Sequence, residues 1–341
     1  MNKHICITGA GGYIGSKMVE ICLKAGYKVT ALDRYFFGDN LKDLVGGNLI
    51  IAKDDTRSFN KEILRGVDVV FDLASISNDP SSELMPEITE SINYYGAVNV
   101  AKASKEMGVK KYVLSSSCSV YGAGDSILDE TSSTSPISTY ARCKLAAEAN
   151  ILTLGDKNFS VTSLRNGTVY GLSSRRMRFD LIINIMTLYA WKSNKIFIMG
   201  GGQQWRPLVH INDVIKAFLS VAEEKDVSKI NGQIFNVGSN EQNYQVFQVA
   251  ARFNAHFPGL KIETTPDDPD PRNYHVNFDK ITNILGYKTE KTIDDGIVEI
   301  KEALDAGLAK DDATTRTVEY YKYLISADKL LSSVKLGGRL F

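Results

Sequence analysis

Tyr140 and Lys144 stand four residues apart in Tyr140-Ala141-Arg142-Cys143-Lys144. On a helix that spacing puts both side chains on one face, where a phenol and an ammonium can serve one reacting group. A free tyrosine has a pKa of about 10, and bringing it near 7 takes roughly 4 kcal/mol of differential stabilisation, which a neighbouring positive charge supplies by favouring the phenolate. The chemistry on offer is general-base removal of a hydroxyl proton. Spacing alone does not select this pair, because Tyr13/Lys17 and Tyr287/Lys291 repeat it; those two read as solvated helix faces.

A second cluster is suited to phosphates. Thr8-Gly9-Ala10-Gly11-Gly12-Tyr13-Ile14-Gly15 follows the apolar run Ile5-Cys6-Ile7. Gly9 at the strand end permits a tight turn, Gly12 lets the backbone approach a pyrophosphate, and Gly15 lets the following helix pack on the strand. That helix would aim the free N–H groups of Tyr13 and Ile14, and its positive dipole end, at the phosphates. Asp33 closes the next apolar run, about 20 positions on. Its carboxylate would accept hydrogen bonds from both adenosine ribose hydroxyls and repel a 2′-phosphate, which favours NAD over NADP. Arg34 beside it could pair with such a phosphate; NAD remains the reading. With a nicotinamide in place, Lys144 would hydrogen-bond its ribose, and the charged ring would join Lys144 in stabilising the Tyr140 phenolate.

The chain's bulk properties leave binding to such local sites. It has 341 residues, with 40 basic and 40 acidic side chains, so no general attraction to nucleic acid or to a membrane surface is expected. Cys6, Cys22, Cys118 and Cys143 are scattered, as reduced thiols of a cytoplasmic protein would be. His4, His210, His256 and His275 show no metal-ligand spacing, so no metal is expected. The start of the chain has no signal-peptide apolar region. The most apolar stretch, 181–191, is too short to cross a bilayer and contains Asn184.

The elements that must position these residues follow from the apolar pattern. Strand-like runs at 5–8, 28–32, 49–52, 67–73, 111–115 and 161–164 alternate with helical periods at 14–24, 92–106 and 140–154. This alternation predicts an α/β fold, a doubly wound parallel sheet of Rossmann type with helices on both faces. From about Gly171 the alternation weakens, and Gly200-Gly201-Gly202 and the Pro/Asp-rich turn 266–271 punctuate the rest. The expected organisation is a dinucleotide-binding domain over 1–170, a smaller mixed substrate region over 171–313 with some segments returning to the Rossmann core, and a helical tail over 314–341. In an open sheet of this kind ligands lie outside the carboxyl ends of the strands.

Three ordered motifs carry a family resemblance from the first strand to about Leu304. The glycine spacing G-x-x-G-x-x-G, the stretch Ser116-Ser117-Cys118-Ser119-Val120-Tyr121-Gly122 before Tyr140 and Lys144, and Arg165-Asn166-Gly167-Thr168-Val169-Tyr170-Gly171 resemble the extended short-chain dehydrogenase/reductases, including the UDP-galactose 4-epimerase group. The resemblance implies a nucleotide-diphosphate sugar as substrate, NAD as cofactor, and Ser117, Tyr140 and Lys144 as catalytic residues, with Ser117 sharing the substrate O4 with Tyr140. Leu73, Ala74 and Ser115 would border the cofactor. Asp55, with Asp54 as its rival, would meet the adenine amino group, and Asn93 falls in the family's N-x-x-G; for both, a capping or solvated role is the alternative.

On the substrate side, Thr168 takes the place of an Asn that relatives set near the diphosphate, and Arg178, Arg206 and Arg272 would clamp it, bidentate guanidinium groups being well matched to a diphosphate. Arg175 and Arg176 read equally well as clamp or as surface charge, and Trp205 offers a face for stacking a base. The helices at 92–106 and 140–154 imply a homodimer by the same analogy.

The reaction implied is C4 epimerisation through a transient 4-keto sugar, the alternative being a C4 dehydrogenase or 4-ketoreductase with net redox, of the kind that acts on GDP-heptoses. Dehydration is disfavoured because the related 4,6-dehydratases carry Asp-Glu where this chain has Cys118-Ser119; Cys118 reads as a small packed residue. A catalytically silent NAD-binding protein is disfavoured by the intact Ser117, Tyr140 and Lys144.

Overall fold

The computed structural model describes residues 3–266 and 272–340; of the turn foreseen at 266–271, residues 267–271 lie outside the described residues. Seven strands, β1 (His4–Thr8), β2 (Lys28–Asp33), β3 (Leu49–Lys53), β4 (Val69–Asp72), β5 (Lys111–Ser117), β6 (Ser160–Asn166) and β7 (Gln233–Val237), form one sheet in the order β3-β2-β1-β4-β5-β6-β7, with every neighbouring pair parallel. The expected doubly wound sheet is what forms. Apolar side chains on both sides of the central strands require it, since only helices on both faces can bury them. In β1, Ile5 and Ile7 enter one apolar layer with Phe71, Val113 and Met18. Cys6 enters the opposite layer with Val70, Leu114 and, on the helix Ala97–Glu106, Val100.

The chain runs outward from β1 to β3, then returns to the middle for β4 and continues the other way. The carboxyl ends of β1 and β4 therefore flank a topological switch point, where a crevice opens. The loops carrying Gly9 and Leu73-Ala74 leave the sheet at that point.

Two elements differ from the sequence expectation. β7 arises late in the chain, where Asn236 interrupts a short apolar run and hides its strand character. The helix foreseen at 92–106 starts earlier, as Pro86–Glu90, and passes through a wider π-helical turn, Ser91–Gly96, before Ala97–Glu106.

Small sheets occupy the carboxyl side of the large one: Thr168–Tyr170 with Trp205–His210 and Asn243–Gln245, Lys195–Met199 with Lys261–Thr265, and Ala123–Leu128 with Asn273–Val276. The first two enclose a separate apolar cluster around Tyr170, Ile183, Leu208, Phe253 and Ile297, and the third packs with Val120, Tyr121 and Phe278. The tail forms the helix Thr317–Val334, of which only Thr317 is buried. No helix among the described residues is long and apolar enough to cross a membrane, and no cluster of metal-ligating side chains occurs among them.

Candidate active site

The glycine turn is built as its spacing requires. Gly9 adopts φ +66°, and a Cβ there would lie 2.8 Å from the Ala74 nitrogen; a Cβ on Gly15 would lie 2.1 Å from the Gly9 carbonyl oxygen. Only glycine lets the helix Tyr13–Lys24 pack this close to β1. No side chain caps that helix, so its first N–H groups face the crevice with the dipole behind them. The Thr8 hydroxyl accepts from the Leu73 and Ala74 N–H groups, both at 3.1 Å, and donates to the buried Asp72, tying the ends of β1 and β4 together. This cradle fits a dinucleotide pyrophosphate.

One continuous cleft runs from this turn along the carboxyl edge of the sheet. It brings together Gly9, Gly12, Tyr13, Ile14, Gly15, Asp33, Asp55, Leu73, Ala74, Ser115, Ser117, Tyr140, Lys144, Thr168, Arg178 and Arg272. Asp33 accepts from the Gly11 N–H at 3.0 Å and from the Tyr35 N–H. Asp55 is gripped by Arg57 at 2.6 Å and Arg34 at 2.9 Å, and the Arg57 contact chiefly draws its carboxyl down to about 2. Arg34 is thus engaged with Asp55. Asp54 accepts from the backbone N–H groups of Asp55 and Asn60.

The catalytic candidates sit at the other end of the cleft. The helix Thr139–Leu152 starts cleanly because Ser138 caps the Ala141 N–H at 3.1 Å, Glu83 accepts from the Thr139 N–H at 2.7 Å, and the Ser82 hydroxyl accepts from the Tyr140 N–H at 3.1 Å. Side chains thus satisfy three orphan donors of the first turn. Lys144, one turn on, donates to the Ser115 carbonyl at 2.7 Å, and its Nζ lies 5.7 Å from the Tyr140 ring centroid. Burial draws the Lys144 ammonium down to about 8. The Tyr140 phenol is pushed above its ordinary value, chiefly by burial and next by Asp79, while a hydrogen bond from Ser117 and the charge of Arg178 oppose the rise. The expectation that Lys144, together with the nicotinamide ring, brings the phenol toward neutrality changes in its protein part: the ammonium is directed at Ser115, and the side chains that lower the phenol's proton affinity are Ser117 and Arg178.

Other expectations also change on the structure. Asn93, on the π-helical turn, does not line the cleft; its side chain accepts from the Ile76 N–H at 2.7 Å and donates to the Ile76 carbonyl at 3.1 Å, fixing the loop after β4. Arg206 also lies off the cleft, because its guanidinium reaches the carbonyls of Trp205, at 2.8 Å, and Arg272, at 2.6 Å. Trp205 stacks on His275 with ring centroids 4.8 Å apart. Tyr13 and Tyr287 are buried, donating to the carbonyls of Gly171 and Asp213, so neither belongs to a solvated face. Arg178 pairs with Asp180 at 2.9 Å and reaches Ser77 at 3.2 Å, and Arg272 pairs with Asp79 at 2.5 Å. Arg175 pairs with Glu20 and Asp43 toward the surface. Cys118 is buried and donates to the Arg165 carbonyl at 3.2 Å.

The cleft has further walls to which the sequence reading gave no role, among them Ser77, Asn78, Asn166, Tyr274, Phe37 and Tyr321. Asn166 falls inside the stretch 165–171 without a role assigned there, and donates to the Ser115 hydroxyl at 3.1 Å. Asn78 carries the one local signal, a non-glycine residue at φ 146° held by its own cap on the Ser81 N–H, the kind of strain that gathers at functional sites.

A sequence profile of the NAD dependent epimerase/dehydratase family matches residues 5–238. The chain belongs to this family. It is an NAD-dependent enzyme of the extended short-chain dehydrogenase type. Over 253 residues, 71% of this chain and 77% of the relative, it is 30% identical to the UDP-N-acetyl-alpha-D-glucosaminuronate decarboxylase of Bacillus cytotoxicus. Over 322 residues, 89% of this chain and 96% of the relative, it is 26% identical to the UDP-glucose 4-epimerase of Corynebacterium glutamicum. The solved structure of MoeE5 in complex with UDP-glucuronic acid and NAD superposes with a TM-score of 0.78 at 27% identity, covering 89% of this chain and 99% of that one.

Proposed function

We propose that this epimerase/dehydratase family member is a nucleotide-sugar C4 epimerase. The observation that carries the reading is the meeting of Ser117, Tyr140 and Lys144 at one end of a cleft whose other end is the glycine cradle. When bound, NAD supplies the hydride acceptor for the sugar's C4 and the donor for its return. Tyr140 takes the O4 proton as the hydride leaves and gives it back on reduction; Ser117 donates to the same oxygen and orients it. Lys144, locked on Ser115, holds a positive charge beside the ring of Tyr140 and orients the cofactor ribose. Arg178 and Arg272, pre-set by Asp180 and Asp79, face the cleft where a diphosphate would lie.

Dehydration across C5–C6 needs a proton acceptor at C5 and a donor to the departing hydroxyl. The two positions at which related 4,6-dehydratases carry Asp-Glu hold Cys118, turned to the Arg165 carbonyl, and Ser119, a buried hydroxyl, while the cleft carboxylate that acts on Tyr140, Asp79, is paired with Arg272, which favours epimerisation. A C4 oxidoreductase with net redox uses the same residues and is the second reading.

Replacing Tyr140 by Phe removes the proton acceptor and leaves the cradle intact. Turnover on nucleotide sugars should fall by about 100- to 10,000-fold, with NAD affinity within a few-fold of the parent by titration calorimetry. Retained turnover would take Tyr140 out of the mechanism.

A further inference from the structure

Arg176 differs from the arginines around it. Arg175, Arg178 and Arg272 each hold a carboxylate. Arg176 borders the cleft at 5% exposure and forms no ion pair among the described residues. Its Nη2 donates to the Thr317 hydroxyl at 2.9 Å, its guanidinium lies 3.8 Å from the Phe37 ring centroid, and its buried Nε has no hydrogen-bond partner. Burial, with Arg178 nearby, draws the guanidinium down to about 10. One hydroxyl, one ring face and the more distant charge of Asp180, itself held by Arg178, do not offset the desolvation of a cation. Such a group calls for an anion.

Position says which anion. Arg176 lines the same cleft as Gly12, Tyr13, Ile14 and Gly15 at the uncapped N-terminus of the helix Tyr13–Lys24, and its charge acts on Asp33. Free N–H groups and a buried guanidinium thus border one cleft. We propose that Arg176 is a cofactor-binding residue whose guanidinium is the countercharge to the dinucleotide's phosphates, aimed by the C-terminal helix. The inference rests on the dinucleotide lying at that helix N-terminus.

The tail thereby gains a positioning role. Thr317 fixes one end of the guanidinium, and its own N–H donates to Asp180 at 3.3 Å. Tyr320 donates to the Phe36 carbonyl at 2.9 Å, and Tyr320 and Tyr321 pack on Phe37 at 5.4 and 5.7 Å between ring centroids, holding that ring against Arg176.

The test is calorimetric titration of the full chain and of Arg176→Gln, Arg176→Lys and Thr317→Val with NAD, ADP-ribose, adenosine and NADP at two salt concentrations, with folding checked by thermal melts. Arg176→Gln should weaken NAD and ADP-ribose about 10- to 100-fold and flatten their salt dependence, with adenosine unchanged within about twofold. Arg176→Lys should recover part of the loss, and Thr317→Val should weaken ADP-ribose several-fold. Parent-like binding of ADP-ribose by folded Arg176→Gln, or by Arg176→Lys and Arg176→Gln alike, would overturn the proposal. A loss confined to NADP would reassign the guanidinium to a ribose 2′-phosphate and overturn the pyrophosphate assignment. A parent that binds none of the four would defeat the dinucleotide reading itself.

Discussion

Lys144 shows how one side chain joins function to stability. Its ammonium is buried with the Ser115 carbonyl as hydrogen-bond partner, and burial lowers its proton affinity to about 8. In the unfolded chain a lysine keeps its proton up to about 10.4. Between those values the unfolded state binds more protons than the folded one, so this group's contribution to stability rises with pH across that window and is smallest below pH 8. Against Lys144→Met, the parent should therefore gain about 1–3 kcal/mol in relative unfolding free energy between pH 8 and 10, read from urea melts. A pH-independent difference would mean the two states hold that proton equally.

At this scale the sequence was most informative where function depends on near neighbours along the chain. Tyr140, Lys144 and the glycines reach one cleft because helix and turn geometry are local. Asn93 and Arg206 could not be placed in the same way, since what each touches, Ile76 and Arg272, is set by the packing of distant segments. Phe37 and Tyr321 belong to no motif, and only the fold brings them to the cleft.

Among elements, the helix Thr139–Leu152 must sit accurately on the sheet for Tyr140 to serve. Its inner face is fixed by a buried pair, with Arg165 on β6 holding both oxygens of Glu148 and its Nη1 donating to the Tyr121 hydroxyl at 3.0 Å. Arg165, the first residue of a motif on the substrate side, thus works behind the cleft. Truncating Glu148 to Ala would strand the guanidinium in the interior at a cost of about 3–5 kcal/mol. Denaturant melts should show that loss, and turnover of the remaining folded protein should drop because the helix is less firmly seated; an unchanged melt would refute the locking role. The strands of the large sheet were legible from runs apolar on both faces. β7 was not, because Asn236 sits in it and serves tertiary contacts, accepting from the Tyr121 hydroxyl at 2.8 Å and donating to the Asn277 carbonyl at 3.1 Å.

For the whole molecule, the reversal of strand order between β1 and β4 is the feature that makes a site possible. It opens a crevice in which the glycine cradle, the tyrosine helix and the arginine-bearing segment after Gly171 meet. The tail, without a functional reading in the sequence, closes one flank of that crevice through Phe36, Phe37 and Arg176. The central claim is that this cleft oxidises and re-reduces C4 of a nucleotide sugar within one binding event. The most direct measurement incubates the protein with UDP-, GDP-, CDP- and dTDP-sugars while following NADH absorbance and the configuration at C4 together. Inversion at C4 with no net NADH is predicted; NADH accumulating in step with a released keto sugar, or product that has lost water, would contradict it.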